Sequence, residues 1–375
     1  MPLTCIKKTI EESIQEDVHF CLTNLLKTDL MRSVEKVLIK PNFVVGSEAS
    51  SGATTDLRVI KGLIDFFYTK GKEVFIGESS LENTEKVFET LGIYKLENFG
   101  AKIVNFDDTE LIRVESPTKL ALKHFYIPKI VYECDLVVSA AKMKAHDQTK
   151  VSLSVKNFLG VTTKKDRKVA HMLDLEKAIV DVFAYFAKNK KVISFIDGIY
   201  AMEGKGSPTH GKAIKMDLLL AGDDAVATDS VCASIMGLNP ATIRHLAIAN
   251  KLNLGSFESE IVGEEIQGIR RNFDIPPTLS SSKIFYSIVN KFFKRTSCFK
   301  NKEKCTLCGL CIENCPIENI AILNNEIIIN RKKCIGCMIC VESCKNGAID
   351  YEIRFENLYN FLRSFRDRYS KLVGR

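Results

Sequence analysis

The chain has no tryptophan, no run of eighteen uncharged apolar residues, and no glycine-rich fingerprint for a flavin or nicotinamide dinucleotide. Without a long apolar run, nothing is expected to span a membrane. The opening stretch MPLTCIKKTIEESIQEDVHF has no apolar h-region and carries acids early. A secretory signal is therefore not expected, and the cytoplasm is the expected compartment. No RNA or DNA motif is recognisable, so nucleic acid is not an expected partner. The basic runs KKDRK at 164–168 and KRTSCFKNKEK at 294–304 read as solvated faces, or as charge that steers an acidic redox partner.

What is present is ordinary globular material with one exception. The 375 residues are 46% hydrophobic and 26% charged, with a net charge of +7, enough for one large and one small domain. The exception is thirteen cysteines, eight of them between Cys305 and Cys344. Without an export signal, that density argues for metal rather than disulfides.

Up to about Gly263, short apolar runs alternate with helical stretches. KVLIKPNF, EVFIGES, AKIVNF, DLVVSA, KVISFIDG and MDLLLAG read as buried strands. Between them, TDLRVIKGLIDFFYTKG, MLDLEKAIVDVFAYFAKNK and DDAVATDSVCASIMG space their apolar residues three and four apart, as helices do. The expected fold is α/β, a mostly parallel sheet with helices on both faces, over residues 1–265. Paired prolines and a serine run within 266–297 predict a linker, which also carries a basic aromatic segment. The cysteine domain follows over 298–354 as a small α+β unit. A helix is expected over 355–375, where Phe355, Leu358, Phe361, Leu362, Phe365, Tyr369 and Leu372 recur at helical spacing. That stripe is read as packing on its own protein in preference to docking on a membrane surface.

Cys305, Cys308, Cys311 and Cys315 stand as C-x2-C-x2-C-x3-C before Pro316, and Cys334, Cys337, Cys340 and Cys344 repeat the spacing 29 residues on. Three thiolates two residues apart wrap one corner of an iron–sulfur cube. The fourth, on the following turn, points to the cube held by the other half. This assigns Cys305, Cys308, Cys311 and Cys344 to one [4Fe–4S] cluster, and Cys334, Cys337, Cys340 and Cys315 to a second. Structural zinc sites split their ligands into separated pairs, which this spacing does not do. The segment resembles the bacterial two-cluster ferredoxin domain. It departs from that pattern at Lys345, where proline is common, and at Met338, where glycine often sits. Cys21, Cys134 and Cys232 read as buried thiols, and Cys298 as an accessory thiol or a bystander.

In an open parallel sheet, ligands bind beyond the carboxyl ends of the strands. Those ends carry Asn42, Glu78, Lys142, Lys144, His146, Asp197 and Asp223, and are expected to converge on one rim. Lys156 and Asn157 extend the basic wall if VSLSVKNFLG turns helical, and Glu203 and His210 flank a glycine-containing loop over it. Lys142, Lys144 and Lys156 would neutralise an anionic ligand and His146 would supply a proton. The bland reading is a solvated lysine loop. Asp229 either faces the crevice or caps a neighbour. GSPTHGKA at 206–213 is a near-match to a phosphate loop, but Ala213 replaces the required hydroxyl and a strand follows.

SAAKMKAHDQTKVSLSVKNFLG, KPN at 40–42, DGIYAMEGKGSPTHG and AGDDAVATDSVCASIMG together resemble the "domain of unknown function 362" family over roughly residues 35–260. The resemblance implies architecture, often with a fused two-cluster ferredoxin domain, and implies no particular reaction. Three readings result. The clusters pass single electrons to or from an anionic small molecule in the α/β domain, or the α/β domain docks a redox partner protein, or the clusters are structural only.

Overall fold

The computed structural model describes residues 1–26, 31–204, 210–275 and 295–353. These fall into two compact units, divided between residues 276 and 277. The stretch 276–294 of the expected linker, the loop 205–209 and the expected helix at 355–375 lie outside the described residues.

The first unit is built on a nine-stranded sheet. Its strands are β1 (Leu3–Lys8), β2 (Lys36–Lys40), β3 (Glu73–Glu78), β4 (Ala101–Asn105), β7 (Leu136–His146), β8 (Lys150–Ser152), β9 (Lys191–Gly204), β10 (Gly211–Gly222) and β11 (Glu260–Gly263). Two further strands, β5 (Leu111–Glu115) and β6 (His124–Pro128), form a separate hairpin. The order across the sheet is β11-β1-β10-β9-β7-β2-β3-β4, with β8 folded back on β7. β9, β7, β2, β3 and β4 are mutually parallel, while β10 pairs antiparallel with both β9 and β1. All six strands read from the sequence are present, and the sheet is mostly parallel.

Burial on both faces explains the apolar runs. Leu38 of β2 and Val137 of β7 enter one core with the helix Leu175–Asn189 and the helix Ala225–Ile235. Their neighbours Val37, Ile39, Leu136 and Val138 enter a second core with the helix Ile14–Leu25 and the helix Leu57–Tyr68. The period of two along each strand thus divides one sheet between two helical layers. Side chains cap the helix starts: Asp56 accepts from Arg58 N, Asp174 from Lys177 N, and Asp224 from Val226 N and Ala227 N.

Residues 266–275 were expected to be linker, but they pack on the first unit. Phe273 is buried, Arg271 N donates to Ile235 O at 2.8 Å, and Gly204 N donates to Asp274 O at 2.7 Å. Backbone groups in an apolar setting take whatever partners are in reach, and the end of helix Ala225–Ile235 offers them.

The second unit holds β12 (Arg295–Phe299) paired antiparallel with β15 (Ile349–Ile353), and the hairpin β13 (Ile320–Leu323) with β14 (Glu326–Ile329). Asn324 and Asn325, at φ 50° and 60°, make the hairpin turn, the left-handed pair that suits the strand twist. Two one-turn helices, Leu310–Glu313 and Ile339–Glu342, carry cysteines. Ile320, Ile327, Met338, Val341, Ile349 and Tyr351 form its small core.

Candidate functional site

In the second unit, the backbone follows the 29-residue repeat closely. Cys-x-x-Cys-x-x-Cys can curl only where some residues turn left-handed. Leu307 and Gly309 do so in the first motif (φ 54° and 78°), and Gly336 and Met338 in the second (φ 73° and 57°). Each motif therefore has one glycine and one strained side chain, at exchanged positions. Met338 replaces a glycine at a backbone angle that disfavours it, and its side chain is fully buried in the small core. Burial of that side chain offsets the strain, and this explains the departure seen in the sequence.

The fourth cysteines repeat as well. Asn319 N donates to Cys315 Sγ at 3.2 Å, and Ala348 N donates to Cys344 Sγ at 3.2 Å. Cys315, Cys334, Cys337 and Cys340 line one cavity, walled by Pro316, Ile317, Ile320, Ile329 and Ile335. Cys308 and Cys344 are neighbours of Cys311. Burial first, then neighbouring thiols, push Cys311 up to about 11, and burial above all pushes Cys337 up to about 12. Crowded thiols in apolar walls ionise with difficulty on their own, and a metal centre reverses that cost. The donor set fits iron–sulfur clusters. Cys298 faces the other way on β12, with its Sγ 3.5 Å from Asp350 O, and is no part of the set.

In the first unit, the parallel strands place their polar ends side by side. Lys142 of β7 lies in register with Asp197 of β9, and their side chains form an ion pair at 2.8 Å with neither exposed. Asp197 also accepts from Asp56 N at 2.7 Å and Ile199 N at 3.0 Å. Lys40 pairs with Glu78 at 2.7 Å, both buried, and Glu78 also accepts from Phe43 N and Ser79 N. Gly160 makes room for this pair, since a Cβ there would lie 3.0 Å from Lys40 Nζ. Lys144 Nζ donates to Asn42 Oδ1 at 2.7 Å; Asn42 Nδ2 donates to Asn157 Oδ1 at 3.3 Å; and Asn157 Nδ2 donates to Lys40 O and Ser139 Oγ. VSLSVKNFLG does turn helical, at Ser154–Asn157. Asp229 caps that turn, accepting from Ser154 N at 2.9 Å and Val155 N at 2.8 Å.

The rim thus holds Asn42, Glu78, Lys142, Lys144, His146, Lys156, Asn157 and Asp197. Three expectations change. Lys142 is committed to Asp197, so its charge is already matched. His146 is buried, and its pKa is held well below the ordinary value, first by burial and then by Lys156. Its Nδ1 accepts from Gln148 N at 3.2 Å and stands 3.4 Å from Asp147 Oδ1. Burial and the nearby lysine thus disfavour the protonated ring that the expected proton donor needs. Asp223 leaves the rim altogether. Because β10 runs antiparallel, Asp223 sits at the opposite edge of the sheet and accepts from Leu3 N at 2.8 Å. Glu203, further along β9, accepts from Asp274 N at 3.2 Å.

Sequence reasoning missed Lys40 and Arg167. KKDRK lies in the helix Lys164–Met172, where Arg167 donates to Ser79 O at 2.6 Å and Lys164 pairs with Asp107 at 2.9 Å. These two side chains are rim structure rather than a solvated face. A helix with so few apolar residues gives no signal of that in one sequence.

Fold and site define a class: an α/β protein joined to a ferredoxin-type iron–sulfur unit. The model of the DUF362 family, a domain of unknown function, matches residues 37–234. The chain belongs to that family. A 4Fe-4S dicluster domain model matches residues 304–349, so the second unit is an iron–sulfur cluster-binding unit of ferredoxin type. A thylakoid-associated protein of Synechocystis sp. (strain ATCC 27184 / PCC 6803 / Kazusa) is 28% identical over 235 residues, covering 60% of this chain and 71% of that protein. The lactate racemase apoprotein from Thermoanaerobacterium thermosaccharolyticum overlays with a TM-score of 0.38 at 16% identity, covering 63% of this chain; the chain spans 57% of that structure's length. Among the described residues, no helix is long and apolar enough to cross a membrane.

Two predictions follow from this geometry. Leu307→Gly removes left-handed strain from a side chain that is 36% exposed and should stabilise the cluster-loaded protein by up to about 1 kcal/mol. Met338→Gly should destabilise it by about 1–2 kcal/mol, because a buried side chain is lost. Denaturant titration followed by cluster absorbance measures both, and equal effects of the two changes would refute the account. The second concerns Asp229, whose carboxyl is pushed up to about 8, chiefly by burial. A carboxyl whose folded pKa exceeds its unfolded value of about 4 stabilises fully below that value. The contribution is lost as pH rises toward 8. Asp229→Asn should flatten this slope while costing about 1–3 kcal/mol for a backbone N–H left unmatched. Stability curves from pH 4 to 9 for both proteins decide it, and an unchanged slope would count against the assignment.

Proposed function

We propose that the protein is an electron-transfer protein carrying two [4Fe–4S] clusters, whose α/β unit holds an anionic ligand at the strand-end rim and exchanges single electrons with it. The observation that carries this reading is the cavity shared by Cys315 and the second motif's Cys334, Cys337 and Cys340. A fourth thiol crossing from the other motif is the arrangement that joins two clusters in one unit. Cys305, Cys308, Cys311 and Cys344 are the ligands proposed for the other cluster.

For the ligand, Lys144 and Lys156 supply charge, Asn42 and His146 supply hydrogen-bonding groups, and Asn157 holds Asn42 in place. Lys142 and Lys40 set the rim's shape through their carboxylate partners. The cytoplasm is the proposed compartment. The reading makes the protein an oxidoreductase if the ligand is a substrate, and an electron carrier with a ligand-gated potential if it is not.

Anaerobically prepared full-length protein should contain about eight irons and eight acid-labile sulfides per chain, for two four-iron cubes. Cys315→Ala should damage the cluster of Cys334, Cys337 and Cys340 and spare the other. Site-resolved spectroscopy showing the reverse loss would sink the ligand assignment, and zinc in fully loaded protein would sink the cluster reading.

The rim is tested separately. Lys144→Ala should weaken anion binding by about 1.5–3 kcal/mol, the range for hydrogen bonds to charged groups, with iron content unchanged. The measurement is an electron-paramagnetic-resonance titration of reduced protein against anionic small-molecule fractions of its cell extract. If no fraction reoxidises the clusters or moves their potential in the wild type, the α/β unit is a docking module and the ligand reading is abandoned.

A further inference from the structure

The second unit repeats itself, but one position breaks the repeat. Ser297 lies on β12, outside both cysteine motifs, opposite Tyr351 of β15. It is buried, and it lines the cavity of Cys315, Cys334, Cys337 and Cys340. Its Oγ stands 3.0 Å from Cys340 Sγ and 4.0 Å from Cys334 Sγ. As a thiol, Cys340 donates to Ser297. A thiolate bound to iron has no proton, so the contact persists only if the serine hydroxyl rotates and donates to sulfur.

The strand register identifies the counterpart for the other cluster. Ile322, one repeat before Tyr351, pairs with Ile327 of β14. Ile327 is buried, as Ser297 is, but an isoleucine has no hydrogen to give. The backbone donors to the fourth cysteines, Asn319 N and Ala348 N, are matched at 3.2 Å in both halves. The hydroxyl is therefore a side-chain donor that the counterpart position in the other half lacks.

A hydrogen bond to a ligating sulfur draws off electron density. It favours the reduced cluster, which carries one more negative charge, and so raises the reduction potential. We propose that Ser297 makes the cluster held by Cys334, Cys337, Cys340 and Cys315 the higher-potential member of the pair, so that an electron entering the unit comes to rest there. Ser297 acts through Cys340 and is a positioning residue. The proposal rests on the two-cluster reading, and its test separates the two.

The test is a potentiometric titration, followed by electron paramagnetic resonance, of anaerobically prepared full-length wild type, Ser297→Ala, Ser297→Thr and Ser297→Val. Thr and Val share a shape and differ in the hydroxyl. Wild type should show two separate midpoints. In Ala and Val the upper midpoint should fall toward the lower one, which stays in place, while Thr keeps the wild-type separation. An upper midpoint unmoved in Ala and Val, a shift confined to the lower midpoint, or one common midpoint in the wild type would overturn the proposal. So would loss of iron in Ala and Val but not Thr, because Ser297 would then be structural. Wild type holding only four irons would instead overturn the two-cluster reading.

Discussion

Charge matched inside a sheet is the constraint on which the first unit depends. Two lysines sit at the ends of buried parallel strands, where an isolated ammonium would cost several kcal/mol. Lys142 and Asp197 face each other because β7 and β9 run in register, and Lys40 reaches Glu78 on the neighbouring β3. Each carboxylate also accepts from loop N–H groups, Asp56 and Ile199 at one, Phe43 and Ser79 at the other. The pairs therefore tie the strand ends to the loops above them. Lys144, which donates to Asn42, and Lys156 belong to the proposed ligand site. Removing one partner would strand the other, which is why such pairs shape a site more than they stabilise a fold.

In the second unit the corresponding constraint is backbone curvature. Thiols two residues apart can face one cube only if the intervening chain turns left-handed twice per motif. Leu307, Gly309, Gly336 and Met338 satisfy this. In the second motif one glycine suffices because burial of Met338 offsets its angle. The fourth cysteine of each motif then receives a backbone N–H four residues on, so two halves of unlike sequence reach the same arrangement.

Much of this was legible before folding. The cysteine spacing named its own chemistry, because ligand geometry is local and survives in a linear string. The six apolar runs became six strands, because buried strands need continuous apolar residues. The rim residues of β2, β3, β7 and β9 were legible for the same reason: in parallel strands, all carboxyl ends share one edge. Asp223 was misplaced because nothing in MDLLLAGDD tells a parallel strand from an antiparallel one. Its direction was set by pairing with β1, more than two hundred residues away.

By itself, then, the sequence determined the α/β class, the cysteine set and most of the strand-end polar groups, all properties of short segments. Tertiary structure decided which lysine meets a carboxylate, since Lys142 and Lys144 look alike in the sequence, yet Lys142 pairs with Asp197 and Lys144 donates to Asn42. It decided that His146 resists protonation, because burial and a nearby lysine act through space. And it decided that Ser297 meets Cys340, a contact made across 43 residues by the register of β12 with β15, which no local pattern encodes.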